Sequence, residues 1–434
     1  MARKMKDSGI EWIGEIPEGW EIHRIKTHFS IISGSGFKPE LQGQSTGDFP
    51  VCKASDISSS GHYLHTSANY ITSDIVKSQH FSIIPKGSIL FAKIGEAMRK
   101  NNRSLCSLDC CVDNNCQGLV PKNISSEFSY YLFTCIDMTW FDNAGTIPCI
   151  NNQKLYDCRF PFPSHDEQLL IANDLNLQCA KINEILSHIR SSIEEYKKLK
   201  QAVITQAVTK GVRGEREMKD SGFEWIGEIP KEWDIIKSSR IIKTTQNGLS
   251  RRDLEKSEGQ IILKLKNITS DGKIDYSFLN RITLSQNELN TYALTTGDFL
   301  FVRVNGSKSL VGKCAIFEAI SEIVAYNDHI IRVKLSNQCY NRFFLWYLYS
   351  CCGKAEIDLH TSTAAGQYTI SGDGLRDITL VFPPIDEQKE IADYLDAKCA
   401  EIDRLIAKKE QLVKELESYK KSLIYEVVTG KREV

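Results

Sequence analysis

The stretch from Asp166 to about Val208 runs roughly forty residues without a Pro or a Gly, and no other feature narrows the possible folds as much. Ile182, Leu186, Ile189, Ile193, Tyr196 and Val203 recur mostly at three- and four-residue steps. They lay one apolar stripe along a helix and leave Glu194, Lys197, Lys198 and Lys200 mostly outside it. At ~1.5 Å per residue the rod is about 60 Å long. A single amphipathic rod cannot bury its stripe alone and needs a partner. Asp386 to about Val428 supplies one, with apolar Leu395, Cys399, Ile402, Leu405, Leu412, Leu416, Tyr419 and Leu423. The two rods are copies. Asp166-Glu167-Gln168 returns as Asp386-Glu387-Gln388, Cys179-Ala180-Lys181-Ile182 resembles Cys399-Ala400-Glu401-Ile402, and Tyr196-Lys197-Lys198 returns as Tyr419-Lys420-Lys421. The offset is 220 at the first match and 223 at the last, so one copy carries three extra residues, which coiled coils absorb by local overwinding. Ile182, Ile189, Ile193 and Tyr196 on one rod, and Ile402, Leu405, Leu412, Leu416 and Tyr419 on the other, are assigned to the helix pair or to partner docking.

A second repeat precedes each rod. Met5 through Pro17 returns at Met218 through Pro230 with Phe223 in place of Ile10, and Trp20 returns as Trp233. The chain therefore reads leader, globular block, rod, twice over. Val427-Val428-Thr429-Gly430-Lys431-Arg432 after the second rod resembles Val208-Thr209-Lys210-Gly211-Val212-Arg213 after the first. The C-terminal end joined to the N-terminus would thus reproduce the mid-chain linker, which implies pseudo-twofold symmetry and antiparallel rods. Four segments are expected: leader and first block over 1–163, central helix 164–210, second leader and block 211–384, and C-terminal helix 385–434. The fold class expected is mixed α/β (α+β), with two globular domains separated by a pair of long antiparallel coiled-coil helices. The blocks alternate short β-rich runs, such as Ser88–Ile94, Asp298–Val304, Ile261–Leu265 and Ile330–Leu335, with Gly, Asn, Asp and Ser turns. Aromatic-rich helical patches, Phe128–Met138 and Asn341–Ser350, lie near their ends. Leaders and rods match tightly and the blocks only loosely, as if leader and rod meet the same surface twice while the blocks meet different ones.

At 434 residues, 41% hydrophobic and 25% charged, the chain is expected to be a soluble protein of several domains. It has no run of eighteen apolar residues and no signal-peptide core, so a cytoplasmic location and no membrane partner are expected. Fourteen cysteines are then reduced, mostly buried thiols. Cys106, Cys110, Cys111 and Cys116 lack the paired C-x-x-C knuckles of a zinc site. A net charge of −1 leaves nucleic-acid binding open, because positive charge can be gathered on one face.

No phosphate-binding loop G-x-x-x-x-G-K-[ST], no H-E-x-x-H and no G-x-S-x-G occurs, and no metal or catalytic residue is assigned. Gly34-Ser35-Gly36-Phe37 reads as a surface turn. Basic residues do recur in turn-rich segments of both blocks. The first block offers Lys38, Lys53, Lys93, Arg99, Lys100 and Arg103; the second offers Arg251, Arg252, Lys264, Lys266, Arg303, Asn305, Lys308 and Lys313. Arg and Lys suit guanine edges and phosphates, and Asn suits adenine, so these are the candidate DNA contacts. The competing reading is a coiled-coil adaptor with two protein-interaction domains that does not bind DNA.

The two leaders ending Glu-Trp-Ile-Gly-Glu-Ile-Pro at 11–17 and 224–230 combine with Pro163 before Asp166-Glu167-Gln168 and Pro384 before Asp386-Glu387-Gln388. With the stretch Gly297 to Gly306, this order of elements resembles the DNA-specificity subunits of Type I restriction–modification systems across essentially the whole chain. The resemblance implies two target-recognition domains, each reading half of a bipartite double-stranded DNA sequence. It also implies two methyltransferase subunits docked along the helices and restriction–translocase subunits in the full complex. Cofactors are expected in those partners, S-adenosylmethionine, ATP and Mg, and none in this chain. The family does not fix base-contacting residues by motif.

Overall fold

The computed structural model describes residues 3–143, 145–251, 258–269, 271–364 and 366–434. They divide into two compact units, Met1–Arg190 with Gln411–Val434, and Ser191–Glu410. Two helices, His165–Lys210 and Ile385–Val428, each contribute one part to each unit. They match the two predicted rods, and the mixed α/β class holds.

In unit 1 the leader is a hairpin in which Met5–Asp7 pairs antiparallel with Glu15–Pro17. Its apolar side chains Ile13, Ile16 and Trp20 are fully buried. The block that follows holds a five-stranded sheet in the order Phe29–Ser33, Cys116–Pro121, Ile89–Ala92, Arg103–Cys106, Tyr63–Leu64. A second sheet orders Cys111–Val112, Phe49–Cys52 and Tyr70–Ile71, with the first pair parallel (Val51 opposite Cys111). Helix Ser126–Thr134, capped by the Ser125 hydroxyl, brings Phe128, Leu132 and Phe133 onto the larger sheet. The same core takes in Leu175, Ile182 and Leu186 from the first long helix and Leu423, Ile424, Val427 and Val428 from the second. Lys420 reaches Asn183 (2.8 Å) and Arg190 reaches Glu417 (2.6 Å), so one helix ascends as the other descends.

Unit 2 repeats the plan. Met218–Asp220 pairs with Glu228–Pro230, and a four-stranded sheet runs Ile242–Asn247, Ile330–Leu335, Phe299–Val302, Cys314–Ile316. A smaller sheet runs Asn280–Ile282, Gln260–Leu263, Val324–Tyr326, the last pair parallel. Helix Asn341–Tyr349 supplies Phe343, Phe344 and Tyr347 to a core shared with Ile204, Val208, Ile391, Leu395 and Cys399 of the long helices. Lys200–Asp403 (2.7 Å) and Lys409 over the Tyr196 ring (5.6 Å) again give antiparallel pairing.

The repeated Asp-Glu-Gln at each helix start has a mechanical role. Glu167 accepts from Arg3 and from Trp20 Nε1 (2.9 Å), while Arg3 lies over the Trp20 ring. Glu387 accepts from Arg216 (2.9 Å) and Trp233 Nε1 (3.1 Å), and Arg216 lies over the Trp233 ring. The neighbouring glutamine clamps the chain on both sides. Gln168 accepts from Ser125 N and donates to Pro163 O; Gln388 accepts from Tyr340 N and donates to Pro383 O. Each motif thus ties its leader and block to the helix. The closing glycine is equally constrained: Gly430, at φ +74°, lies where a Cβ would stand 2.4 Å from Pro17.

Of the residues assigned to the helix pair, Ile182, Ile193 and Ile402 are buried, and Ile189, Tyr196, Leu405 and Leu416 are half-buried. Leu412 and Tyr419 are exposed, because the seam passes through Val413 and Leu416 instead. Each described cysteine is a free thiol, and Cys52, Cys106, Cys110 and Cys116 pack into one apolar cluster. Among the described residues no group of three or more His, Cys, Asp or Glu is arranged to hold a metal, and no helix is long and apolar enough to cross a membrane.

Candidate nucleic-acid interface

Strand ends carry side chains away from the sheet, and in each block four of them converge. In unit 1, Gly34 follows Phe29–Ser33, Lys53 follows Phe49–Cys52, Lys93 follows Ile89–Ala92 and Asp113 follows Cys111–Val112. Main-chain bonds hold them together. Gly34 N donates to Cys116 O (3.1 Å), Ser35 N to Val112 O (3.2 Å), Asp113 N to Cys52 O (3.2 Å) and Lys93 N to Asn115 O (2.8 Å). Gly34 approaches so closely that a Cβ there would stand 1.9 Å from the Asp113 carbonyl oxygen. Lys53 N is capped by the Asp56 carboxylate (2.7 Å), and its Nζ bonds Gln42 (2.7 Å) 5.4 Å from the Phe37 ring. That contact draws in the loop carrying exposed Lys38. The Cys116 thiol is pushed up by its burial and by nearby Asp113 and Asp56, with Lys93 opposing, so all three charges face one place.

Unit 2 builds the same frame from different side chains. Gly248 N donates to Ile330 O (3.1 Å), Leu249 N to Tyr326 O (2.9 Å), Asn327 N to Leu263 O (3.0 Å) and Arg303 N to His329 O (2.8 Å). A Cβ on Gly248 would stand 2.1 Å from the Asn327 carbonyl oxygen. Lys264 N is capped by the Asn267 side chain (2.8 Å), as Lys53 is by Asp56. Position by position, Gly34 corresponds to Gly248, Lys53 to Lys264, Lys93 to Arg303, Asp113 to Asn327 and Asn115 to His329.

The predicted contacts distribute unevenly over this frame. Lys53, Lys93, Lys264 and Arg303 belong to it, with Lys38 beside it in unit 1. Arg251 stands two residues past Leu249 and pairs with Glu288 (2.8 Å), whose carboxyl falls to about 2 through its bonds to Ser285 and Arg251. Arg252 lies outside the described residues. Exposed Lys266 lies over the Phe278 ring (5.3 Å). Asn305 pairs with Tyr368 in a separate small sheet, and Lys308 faces Asp358 (3.9 Å). Half-buried Lys313 gives its carbonyl to Val302 N (2.8 Å). Arg99 pairs with Glu96 (2.7 Å) at the surface, and Lys100 is exposed beside it. Arg103 corrects the expectation: it is 6% exposed, with Nη2 given to Ile136 O and to Asn101, so it stands inside unit 1 and off the strand-end frame. Its strand alternates, and Arg103 shares a face with core Leu105. Gly34, Gly248, Asn115, Asn327 and His329 were not predicted; an apolar run stopping at Asp113-Asn114-Asn115, and another at Asn327-Asp328-His329, was the available signal.

The model of the Type I restriction modification DNA specificity domain matches residues 17–195 and 230–416. The chain is 25% identical over 402 residues to the EcoKI specificity subunit, a Type I restriction enzyme component of Escherichia coli (strain K12), covering 90% of this chain and 84% of that protein. It is 24% identical over 431 residues to the StySPI specificity subunit of Salmonella potsdam, covering 96% and 90%. A solved structure described as the structural basis of complex assembly and conformational transition of the type I R-M system shares the fold. Its TM-score is 0.70 at 15% identity, over 96% of this chain and 99% of that one. With both blocks matched and most of its length covered, this chain belongs to the Type I restriction modification DNA specificity family.

Proposed function

We propose that the chain is the DNA sequence-recognition subunit of a Type I restriction–modification complex, each block reading one half of a bipartite target. The observation that carries this reading is the duplicated strand-end frame. Its backbone and two basic positions recur, while Asn115 and His329, or Lys93 and Arg303, differ. A shared scaffold with changed polar side chains suits two readers of unlike base sequences, since cations settle on phosphates and specificity comes from groups that reach base edges. The chain's part is recognition. Methylation, ATP hydrolysis and cleavage, with S-adenosylmethionine, ATP and Mg, fall to two methyltransferase subunits and to restriction–translocase subunits. The long helices act as spacer and docking rail, for which Leu177, Ile185, Leu412 and Tyr419 leave apolar surface exposed.

The test is methylation mapping of a host genome in which the chain is expressed with its cognate methyltransferase. Replacing residues 18–163 with those of a relative should change one half-site and leave the other. A change in both halves, or in neither, would overturn the reading. Binding of the complex to duplex should also weaken steeply with salt, because phosphate contacts release counterions.

A further inference from the structure

Unit 1 contains a groove of about 820 Å³ between its block and its parts of the two long helices. It does not belong to the strand-end frame. Five cations line it, Lys100, Arg103, Arg190, Lys420 and Lys421, against one carboxylate, Glu417. Glu417 is already taken by Arg190 (2.6 Å), and Lys420 bonds neutral Asn183 (2.8 Å). Among the described residues Lys100 and Lys421 have no acceptor. Arg103 is the telling member. It is more than nine-tenths buried, and among the described residues neither its Nε nor its Nη1 meets an acceptor. Desolvation lowers its guanidinium to about 10 and outweighs the opposing pull of Cys135, Tyr130 and Asp137, none of which is hydrogen-bonded to it among the described residues. A buried charge with unmet donors is costly, and an entering anion offsets that cost. The wall beside it is aromatic, with Tyr130 stacked on His62 at 4.0 Å. Its volume is that of a small-molecule site.

We infer that this groove binds a phosphate-bearing ligand, with Arg103, Lys100 and Lys421 holding the anion. Phosphate is favoured over a single carboxylate because several converging donors match three or more charged oxygens. Two sources share this chemistry: a free nucleotide, or a phosphate of a nucleic-acid strand.

The test uses the full chain and the Lys100→Gln/Lys421→Gln double variant, both exposed or solvent-edge positions whose melting should match the parent. Lys77→Gln, an exposed lysine outside both the groove and the strand-end frame, serves as a control. Inorganic phosphate, ATP and a short duplex are titrated separately by calorimetry. The expected result is binding of at least one probe that weakens about tenfold in the double variant and not in the Lys77→Gln control. ATP or phosphate responding identifies a free ligand; duplex alone responding identifies a strand phosphate. Binding indifferent to the double variant, or no binding of any probe, would overturn the inference. So would polyglutamate binding in a groove that takes none of the three, since the occupant would then be an acidic polypeptide.

Discussion

Replacing Glu387 with Ala removes the acceptor on which the second leader hangs. The Glu387 side chain is 4% exposed, and it receives Arg213 Nη1 (3.1 Å), Arg216 Nη1 (3.2 Å) and Nη2 (2.9 Å), and Trp233 Nε1 (3.1 Å). Its loss leaves Arg216, 14% exposed and lying over the Trp233 ring, with Glu232 as its remaining carboxylate and a long bond to Lys210 O (3.4 Å). Breaking a buried pair by deleting one partner costs about 3–5 kcal/mol. The lower end applies here, because Arg213 is half exposed and Arg216 keeps one carboxylate. In unit 1 the corresponding Glu167 and Arg3 are 26% and 32% exposed, so Glu167→Ala should cost only about 1–2 kcal/mol. A chain of two units need not unfold in one step, so a single melting midpoint is a poor gauge. Hydrogen exchange resolved by peptide under native conditions is the better assay. Glu387→Ala should accelerate exchange in 218–237 and 385–395 while 5–24 stays protected. Pairing Glu387→Leu with Arg216→Met should recover most of the loss, since no charge is then stranded. If Glu167→Ala proves the costlier substitution, or if the Glu387→Ala loss spreads evenly over both leaders, the assignment of these carboxylates as unit-specific ties is wrong.

Three further outcomes are expected. Arg303→Ala should relax base preference at one position of a single half-site by about 1–3 kcal/mol, read as partial methylation of related sites, with the other half-site unchanged. Gly34→Ala, which drives a Cβ into the Asp113 carbonyl, should destabilise unit 1 by about 1–3 kcal/mol in urea melts and abolish duplex binding more than that loss explains. Glu127 carries a depressed pKa: burial raises it, but His62, whose Nε2 lies 3.2 Å away, and the Tyr63 hydroxyl, which donates to it at 2.8 Å, outweigh that and bring it below the ordinary 4.5. A carboxyl lowered in the folded state stabilises above its unfolded value and loses that contribution as pH falls through the folded one. The difference in melting temperature between parent and Glu127→Gln should therefore be full well above the ordinary 4.5 and shrink progressively as pH falls below it.

What could be read from sequence follows the range of the interactions that make each element. The long helices rest on contacts three and four residues apart, so their stripe of Ile182, Leu186 and Ile193 was visible directly, as was their pairing once the copies were aligned. The strand-end frame was not, because it is assembled by pairings such as Val51 with Cys111 and Ile261 with Val324, some sixty residues apart and parallel. Lys53 and Lys93 could be singled out as basic, but their meeting with Gly34 and Asp113 depends on strand order, which no local pattern states. Arg103 was misplaced for the converse reason: as a cation in a turn-rich stretch it suggested surface, although two-residue alternation with Leu105 already put it on the core face. The repeat itself divides structural from discriminating residues. Trp20 and Trp233, Glu167 and Glu387, Gln168 and Gln388 are identical between copies because each makes the same bonds to its own helix. Where the backbone frame is equally well kept but the side chains diverge, as at Asn115 and His329 or Asp113 and Asn327, the side-chain bonds diverge too: Asp113 accepts from Asn115 N (3.1 Å) and Nδ2 (3.3 Å) in unit 1 alone among the described residues. Divergence on a preserved frame is what two different external partners would produce, and it locates the readers better than any count of lysines.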